Sequence, residues 1–210
     1  TEAHERDGIT SRLIMCFRRY RAEKDALAML RQAEPYLDWI AGVGLDSEEV
    51  GNPPAKFERV FAAARTKGLH VVAHAGEEGP AANVRDSLDV LGAERIDHGV
   101  RSMEDPELVE RLVREHVCLT VCPNSNVRLR VFGRMEDHPL KRMLDAGLTV
   151  TVNSDDPAYF GGYLTANFRA VTEALGLSVD DVRQLGHNAI EGSFLEPDAK
   201  VALAAELDAL

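Results

Sequence analysis

The chain is poor in basic residues, and this shortage limits the partners that it can bind. Its 24 Lys and Arg residues face 35 Asp and Glu residues, which leaves a formal net charge of −11. Nucleic-acid binding draws much of its affinity from basic side chains that neutralise phosphates. The composition therefore argues against a nucleic-acid partner and favours a small or neutral ligand.

Cysteine and long hydrophobic runs are also scarce. The three cysteines, Cys16, Cys118 and Cys122, form no C-x-x-C pair, and an odd count is a poor framework for disulfides. We interpret them as small buried apolar residues in a reducing compartment, so a cytoplasmic location is expected. No apolar run approaches the roughly 18 residues that a transmembrane helix needs, and no membrane contact is expected.

Short β-branched runs alternate with helical patterns along the chain. In the helical patterns apolar residues recur three and four positions apart, as they do from Phe57 to Ala64. Pro106 directly after Asp105 marks the first turn of another helix. Such alternation predicts a parallel sheet flanked by helices. The predicted strands are residues 12–17, 39–45, 70–73, 95–97, 117–122 and 148–153.

Polar and charged residues follow five successive predicted strands. In an open, doubly wound sheet ligands gather at one switch point, whereas in a (β/α)8 barrel functional residues come from the ends of many strands. The pattern therefore predicts an α/β fold, a TIM-type (β/α)8 barrel, with about six of its eight strands in this chain. Residues 1–210 are expected to form a single barrel domain whose first strands precede Thr1. The polar groups are Ser47 with Glu48 and Glu49, His74 with Glu77, His98, Asn124 to Asn126, and Asp155 with Asp156.

His74, Glu77 and His98 are the first candidates for chemistry. An imidazole at a strand end can bind a metal, and a carboxylate beside it can transfer protons. A core histidine next to a solvated glutamate is an equally good interpretation of H-A-G-E alone. His98 is interpreted as a metal ligand or as a base that orients a water, with a structural histidine as the alternative. Asp97 is expected to face the opposite side of its strand and to be structural.

The last predicted strand ends in two adjacent carboxylates, Asp155 and Asp156. One can bind a metal while the other accepts a hydrogen bond from a substrate. A helix N-cap is the alternative role for either, and Pro157 favours it. The segment from Cys122 to Asn126 is typical of a turn and is given a supporting role. The remaining histidines are interpreted as surface, capping or packing residues: His4, His70, His116, His138 and His187.

His74, His98 and Asp155, with Glu77 nearby, predict an incomplete zinc site. Catalytic zinc usually takes three protein ligands and keeps one position for water. A His-x-His pair on a strand would complete the set, and this sequence contains none.

Six motifs together resemble the adenosine/adenine deaminase family of the amidohydrolase superfamily. The resemblance implies a metal-dependent hydrolase barrel with one zinc ion (Zn2+) and a small-molecule purine substrate. The implied reaction is hydrolytic deamination of a 6-aminopurine. The motifs follow the family's order: G-V-G-L-D-S-E-E at 42–49, H-A-G-E at 74–77, R-I-D-H-G at 95–99, C-P-N-S-N at 122–126, H-P-L at 138–140 and N-S-D-D-P at 153–157.

The resemblance also implies a role for each matching residue. His74 and Asp155 would be zinc ligands, and Glu77 would protonate the purine at N1. His98 would orient and deprotonate the attacking water. Asp156 would accept a hydrogen bond from the purine at N7.

Two departures from the family pattern qualify these expectations. The family's His-x-His pair would precede Thr1, so this polypeptide alone is expected to bind zinc weakly and to be inactive. Ser47 stands where the nucleoside deaminases have a glycine near purine N3. Together with the segments 51–54 and 158–163, Ser47 resembles the adenine deaminase branch, which implies conversion of adenine to hypoxanthine and ammonia.

Several alternatives stay open at this point. The protein could be an adenosine deaminase, or another metal hydrolase on the same barrel. It could also be a catalytically inactive fragment or one half of a split barrel that binds a partner chain. A homo-oligomer and a missing N-terminal segment are both compatible with the sequence.

Overall fold

The computed structural model describes residues 2–210, and its centre is a parallel sheet of six strands. The strands lie side by side in the order in which they occur in the sequence. All six predicted strands are present close to their predicted bounds. They are Leu13–Arg18 (β1), Ile40–Asp46 (β2), His70–Ala75 (β3), Arg95–His98 (β4), Cys118–Val121 (β5) and Val150–Val152 (β6).

Helices connect the strands, and three further helices follow β6 after the short α8. In residues 2–210 no helix has the combined length and apolarity that a bilayer crossing requires. The α-helices are Glu2–Asp7 (α1), Glu23–Ala33 (α2), Glu58–Arg65 (α3), Ala81–Asp86 (α4), Pro106–Arg114 (α5), Pro123–Arg128 (α6), Leu140–Asp145 (α7), Pro157–Phe160 (α8), Leu164–Leu175 (α9), Val179–Glu191 (α10) and Pro197–Asp208 (α11).

The strand order contains no switch point. Each strand pairs in parallel with the next one along the chain, and the register places His74 of β3 beside Asp97 of β4. A doubly wound sheet reverses its order near the middle, whereas the wall of a (β/α)8 barrel does not. The carboxyl ends of all six strands therefore point to the same edge of the sheet.

The apolar periodicity of α3 places its buried face where the sequence predicts it. Phe57, Val60, Phe61 and Ala64 are all fully buried. The Phe61 ring meets Phe17 of β1 edge-on, with ring centroids 5.6 Å apart. Edge-to-face aromatic pairs add stability beyond the area that they bury. This contact ties α3 to the strand at one edge of the sheet.

Two other helix boundaries follow local chemistry. Asp105 caps α5 by accepting a hydrogen bond from the Leu108 amide at 3.1 Å. The α4 helix continues as a π-helical turn from Ser87 to Leu91. The Ser87 hydroxyl donates to the Asn83 carbonyl at 2.8 Å, a local bond that competes with regular helix geometry.

The substitution Phe61→Ala is expected to destabilise the fold by about 3–5 kcal/mol, because it opens a cavity in a fully buried cluster. Phe61→Leu should cost far less, since it keeps most of the volume. Urea unfolding followed by circular dichroism measures both values. Equal losses for the two variants would contradict the packing role assigned to the ring.

Candidate active site

Three of the predicted site residues lie at strand ends in the left-handed backbone region. The φ angles are 73° for Ser47, 68° for His98 and 54° for Asp155. Residues other than glycine rarely adopt this conformation, which costs on the order of 1–3 kcal/mol and clusters at functional sites. All three positions follow or end a parallel strand at the same edge of the sheet.

Four predicted residues come together at this edge. Glu77 Oε1 lies 3.2 Å from His98 Nδ1, and His98 Nε2 lies 4.0 Å from Asp155 Oδ2. The rings of His74 and His98 have centroids 4.8 Å apart. The structure therefore brings acidic and basic side chains from β3 and the loop after it, from β4 and from the segment after β6 into one cluster.

Asp97 belongs to the same cluster, and its prediction as a residue of the opposite face is wrong. Its carboxylate lies 3.3 Å from His74 Nδ1 and accepts a 2.7 Å hydrogen bond from the Thr120 hydroxyl. The left-handed backbone of His98 ends the strand's alternation, so both neighbours reach the interior. Burial raises the pKa of Asp97, but His74, Arg95 and Thr120 together hold it well below its usual range.

Burial tunes the two groups at the centre of the cluster. It raises the pKa of Glu77 to about 7, to which the charge of Asp155 contributes. Burial, with a smaller effect from His74, lowers the pKa of His98 to about 3. Glu77 can therefore give up a proton near neutral pH, while the His98 imidazole is neutral there.

The loop that carries Glu77 is shaped by a second carboxylate, that of Glu49. This side chain is almost fully buried and accepts hydrogen bonds from the four consecutive amides of residues 76–79 and from the Asn83 side chain. The donor–acceptor distances run from 2.7 to 3.1 Å. A Cβ at Gly79 would lie 2.6 Å from the carboxylate, so the close approach requires glycine there.

Arg19 provides the positive charge nearest to Glu49. Its guanidinium is fully buried, lies 3.9 Å from the Glu49 carboxylate and donates to the His74 carbonyl. A buried charge is costly unless it is paired and hydrogen-bonded. Glu49 and Arg19 thus hold the end of β3 from both sides. Glu49 is one of the polar residues predicted at the strand ends, but its partners were not predicted.

The segment predicted as a turn forms the helix α6 instead. From this helix the Asn126 side-chain amide donates to Glu77 Oε1 at 3.0 Å, in line with the supporting role expected of the segment. His138, in contrast, was expected to be a surface, capping or packing residue without converging partners. The structure buries it and places its Nε2 atom 3.2 Å from Asn126 Oδ1. The His-Pro-Leu motif at 138–140 was the one signal that pointed to this residue.

Ser47 and Asp156 lie at the same edge but do not join the cluster. Within residues 2–210 neither side chain makes a hydrogen bond to His74, Glu77, His98 or Asp155. The Ser47 hydroxyl donates to Asp46 at 3.1 Å. Asp156 holds the N-cap position of α8, yet its side chain makes no capping hydrogen bond. The exposed Asp156 carboxylate therefore does not cap α8, which was the alternative role predicted for it.

The donor set fits a zinc ion in part. One donor atom from each of His98, Cys122 and Asp155 lies within 4.8 Å of the other two. Burial raises the pKa of the Cys122 thiol well above its usual range, which disfavours the thiolate that a metal would need. His74 has a carboxylate, Asp97, behind its Nδ1 atom, as metal-ligating histidines usually do.

The sequential strand order and the polar groups at the strand ends define the wall of a (β/α)8 barrel with its functional groups at the carboxyl edge. The model of the adenosine deaminase family matches residues 1–210, and the chain belongs to this family. Individual relatives agree with the assignment. The adenine deaminase of Cupriavidus necator is 60% identical over 199 residues, which are 95% of this chain and 57% of that protein.

Solved structures show the same fold. The crystal structure of adenine deaminase from Arthrobacter aurescens superposes with a TM-score of 0.96 at 51% identity, over 98% of this chain and 63% of that one. An amidohydrolase from Burkholderia ambifaria with bound Zn gives a TM-score of 0.91 at 30% identity, over 99% of this chain and 59% of that one. The predicted TIM-type barrel is thus confirmed. The chain spans about 57% of the length of the first curated relative.

The substitution Glu49→Gln is expected to destabilise the protein by about 3–5 kcal/mol and to loosen the loop 76–79. Both carboxylate oxygens accept hydrogen bonds from N–H donors. A glutamine has an NH2 group in place of one oxygen, and this group would face N–H donors and could not accept from them. Thermal unfolding and amide hydrogen exchange measure the two effects. Glu48→Gln is the matched control, because Glu48 is exposed. Unchanged exchange at residues 76–79 in the Glu49 variant would contradict the role of Glu49.

Proposed function

We propose that the protein containing this chain catalyses the hydrolytic deamination of adenine to hypoxanthine and ammonia. The observation that carries the proposal is the largely buried Glu77 carboxyl, whose pKa is raised to about 7 and which lies 3.2 Å from a neutral His98. An acid and a base so placed can serve two proton transfers in one reaction. The adenine deaminases of Cupriavidus necator and Streptomyces coelicolor, each 60% identical, support the choice of substrate.

Each residue has a defined task in this proposal. Glu77 donates its proton to purine N1, which makes C6 a better electrophile. His98 orients the attacking water and accepts its proton. Asp156 accepts a hydrogen bond from the purine at N7, for which its uncapped and exposed carboxylate is suited. Ser47 lies beside the ring near N3 and N9.

The proposal includes a zinc site in which His74 and Asp155 are ligands. When bound, zinc lowers the pKa of a bound water from 15.7 to about 7 and makes hydroxide available near neutral pH. The Asp97 carboxylate behind His74 and the zinc in the Burkholderia ambifaria relative support it. Residues 1–210 then form one metal-dependent hydrolase barrel domain, and the remaining ligands come from outside this chain.

The substrate and the compartment follow from the same observations. A net charge of −11 suits a neutral base better than nucleic acid. All three cysteines are free thiols, which supports a reducing cytoplasm. Adenosine is the second candidate substrate, because the family model that matches the chain is that of adenosine deaminase.

The product of the complete gene, loaded with zinc, is expected to convert adenine to hypoxanthine and to act far more slowly on adenosine. Ultraviolet absorbance follows both reactions directly. Preferred turnover of adenosine would replace the leading substrate by the second candidate. No turnover of either compound would refute the proposed function.

Glu77→Gln is expected to lower kcat for adenine by about 10²–10⁴-fold, the usual contribution of a general acid. Glu78→Gln is the matched control, since the Glu78 side chain is exposed and lies one residue further along the same loop. Steady-state kinetics at neutral pH measures both variants. Equal activity of the two would show that Glu77 is not the acid.

Ser47→Gly is expected to shift the ratio of kcat/KM values towards adenosine by about tenfold or more, because it removes the side chain that crowds N9. The backbone tolerates the change, since a φ of 73° suits glycine. Ser47→Ala separates volume from hydrogen bonding, as it keeps Cβ and loses the hydroxyl. An unchanged ratio in the glycine variant would exclude Ser47 from substrate selection.

A further inference from the structure

We propose that His138 is a positioning residue which, through Asn126, makes Glu77 present its proton to the substrate. The proposal deepens the proposed function and depends on it for its catalytic consequence. Three side chains, those of Glu77, Asn126 and His138, form a hydrogen-bonded row. The backbone amide of Leu140 ends this row beside His138. His138 and Asn126 are buried, with 3% and 0% of their surface exposed.

The backbone amide of Leu140 determines the role of one His138 nitrogen. This amide is in the first turn of α7 and lies 3.2 Å from His138 Nδ1. A backbone N–H can only donate, so Nδ1 must be the acceptor in this contact. A hydrogen on Nδ1 would place two donors against each other.

His138 must therefore carry its hydrogen on Nε2. Burial lowers the pKa of this histidine to about 4, so the ring is neutral at neutral pH and has a single N–H. Phe132 packs against the imidazole with ring centroids 5.0 Å apart, which limits rotation of the ring. The Nε2–H group then donates to Asn126 Oδ1 at 3.2 Å.

The Nε2–H donor in turn fixes the Asn126 amide. With Oδ1 facing His138, the amide nitrogen faces Glu77 Oε1 at 3.0 Å and His98 Nδ1 at 3.4 Å. The opposite orientation would set the amide N–H against His138 Nε2–H. Orientations of side-chain amides are assigned from such networks, and here the Leu140 amide decides the assignment.

This orientation decides which Glu77 oxygen carries the proton. An N–H donor from Asn126 occupies Oε1, which also lies 3.2 Å from His98 Nδ1. In the proposal the proton of the neutral carboxyl is therefore on the other oxygen, Oε2. A reversed Asn126 would offer its carbonyl oxygen to Glu77 and take the proton in an internal hydrogen bond. His138 prevents this loss, and the proton stays available for transfer to purine N1.

Two substitutions of His138 separate donation from simple packing. In His138→Gln the amide nitrogen can occupy the place of Nε2 and keep the donation to Asn126. In His138→Asn the shorter side chain can still accept from the Leu140 amide but cannot reach Asn126. We expect the asparagine variant to lose about tenfold to a hundredfold in kcat with a smaller change in KM, and the glutamine variant to retain most of its activity.

The tautomer is measured independently in the complete gene product by long-range ¹H–¹⁵N correlation spectra of its histidines. The expected result is the Nε2–H form of His138. The Nδ1–H form would overturn the proposal, and so would equal losses of kcat in the two variants, which indicate packing alone.

A wild-type protein without adenine turnover would refute the proposed function and not this hydrogen-bond chain. In that case the NMR resonance of the Asn126 side-chain amide tests the hydrogen-bond chain directly. It should shift in His138→Asn and stay in place in His138→Gln, and equal shifts in both variants would overturn the chain.

Discussion

The arrangement of the site depends on one buried carboxylate, that of Glu49. It gathers the four amides of residues 76–79 and so determines the path of the chain directly after β3. Arg19, from the end of β1, lies beside it and also holds the carbonyl of His74. Three adjacent strand ends are thereby fixed to one another. The position of Glu77 follows from this contact, since Glu77 is part of the loop that the carboxylate organises.

Around this anchor the structure assigns opposite tasks to chemically similar groups. Glu49 is a buried carboxylate and Asp97 a largely buried one, and both are surrounded by donors. Glu77 is also largely buried but has few compensating contacts. Donors stabilise an ionised carboxylate, and burial without them favours the neutral acid. The same residue type is therefore a structural anion at one position and, in the proposed function, the proton donor at another. Such a separation of pKa values is how active sites obtain an acid and a base at one pH.

The sequence predicts the fold well because strand and helix signals are local. All six strands and the buried face of α3 follow from apolar patterns within single segments. The residues at the strand ends, His74, Glu77, His98 and Asp155, are predicted for the same reason. Asp97 is missed because the left-handed backbone at His98 breaks the alternation on which its assignment depended. Glu49 and His138 both lie in sequence motifs, but their roles are missed because their partners lie far along the chain, 27 residues away for Gly76 and 12 for Asn126.

The left-handed conformations of Ser47, His98 and Asp155 have a consequence for stability. Glycine would be less strained than the present residue at each position. These side chains therefore lower the free energy of unfolding, so the protein is less stable than it would be with glycine there. The strand ends are thus places where stability and chemistry oppose each other. Selection for a more stable protein alone would remove these side chains, and with them the donor groups at the carboxyl edge of the sheet.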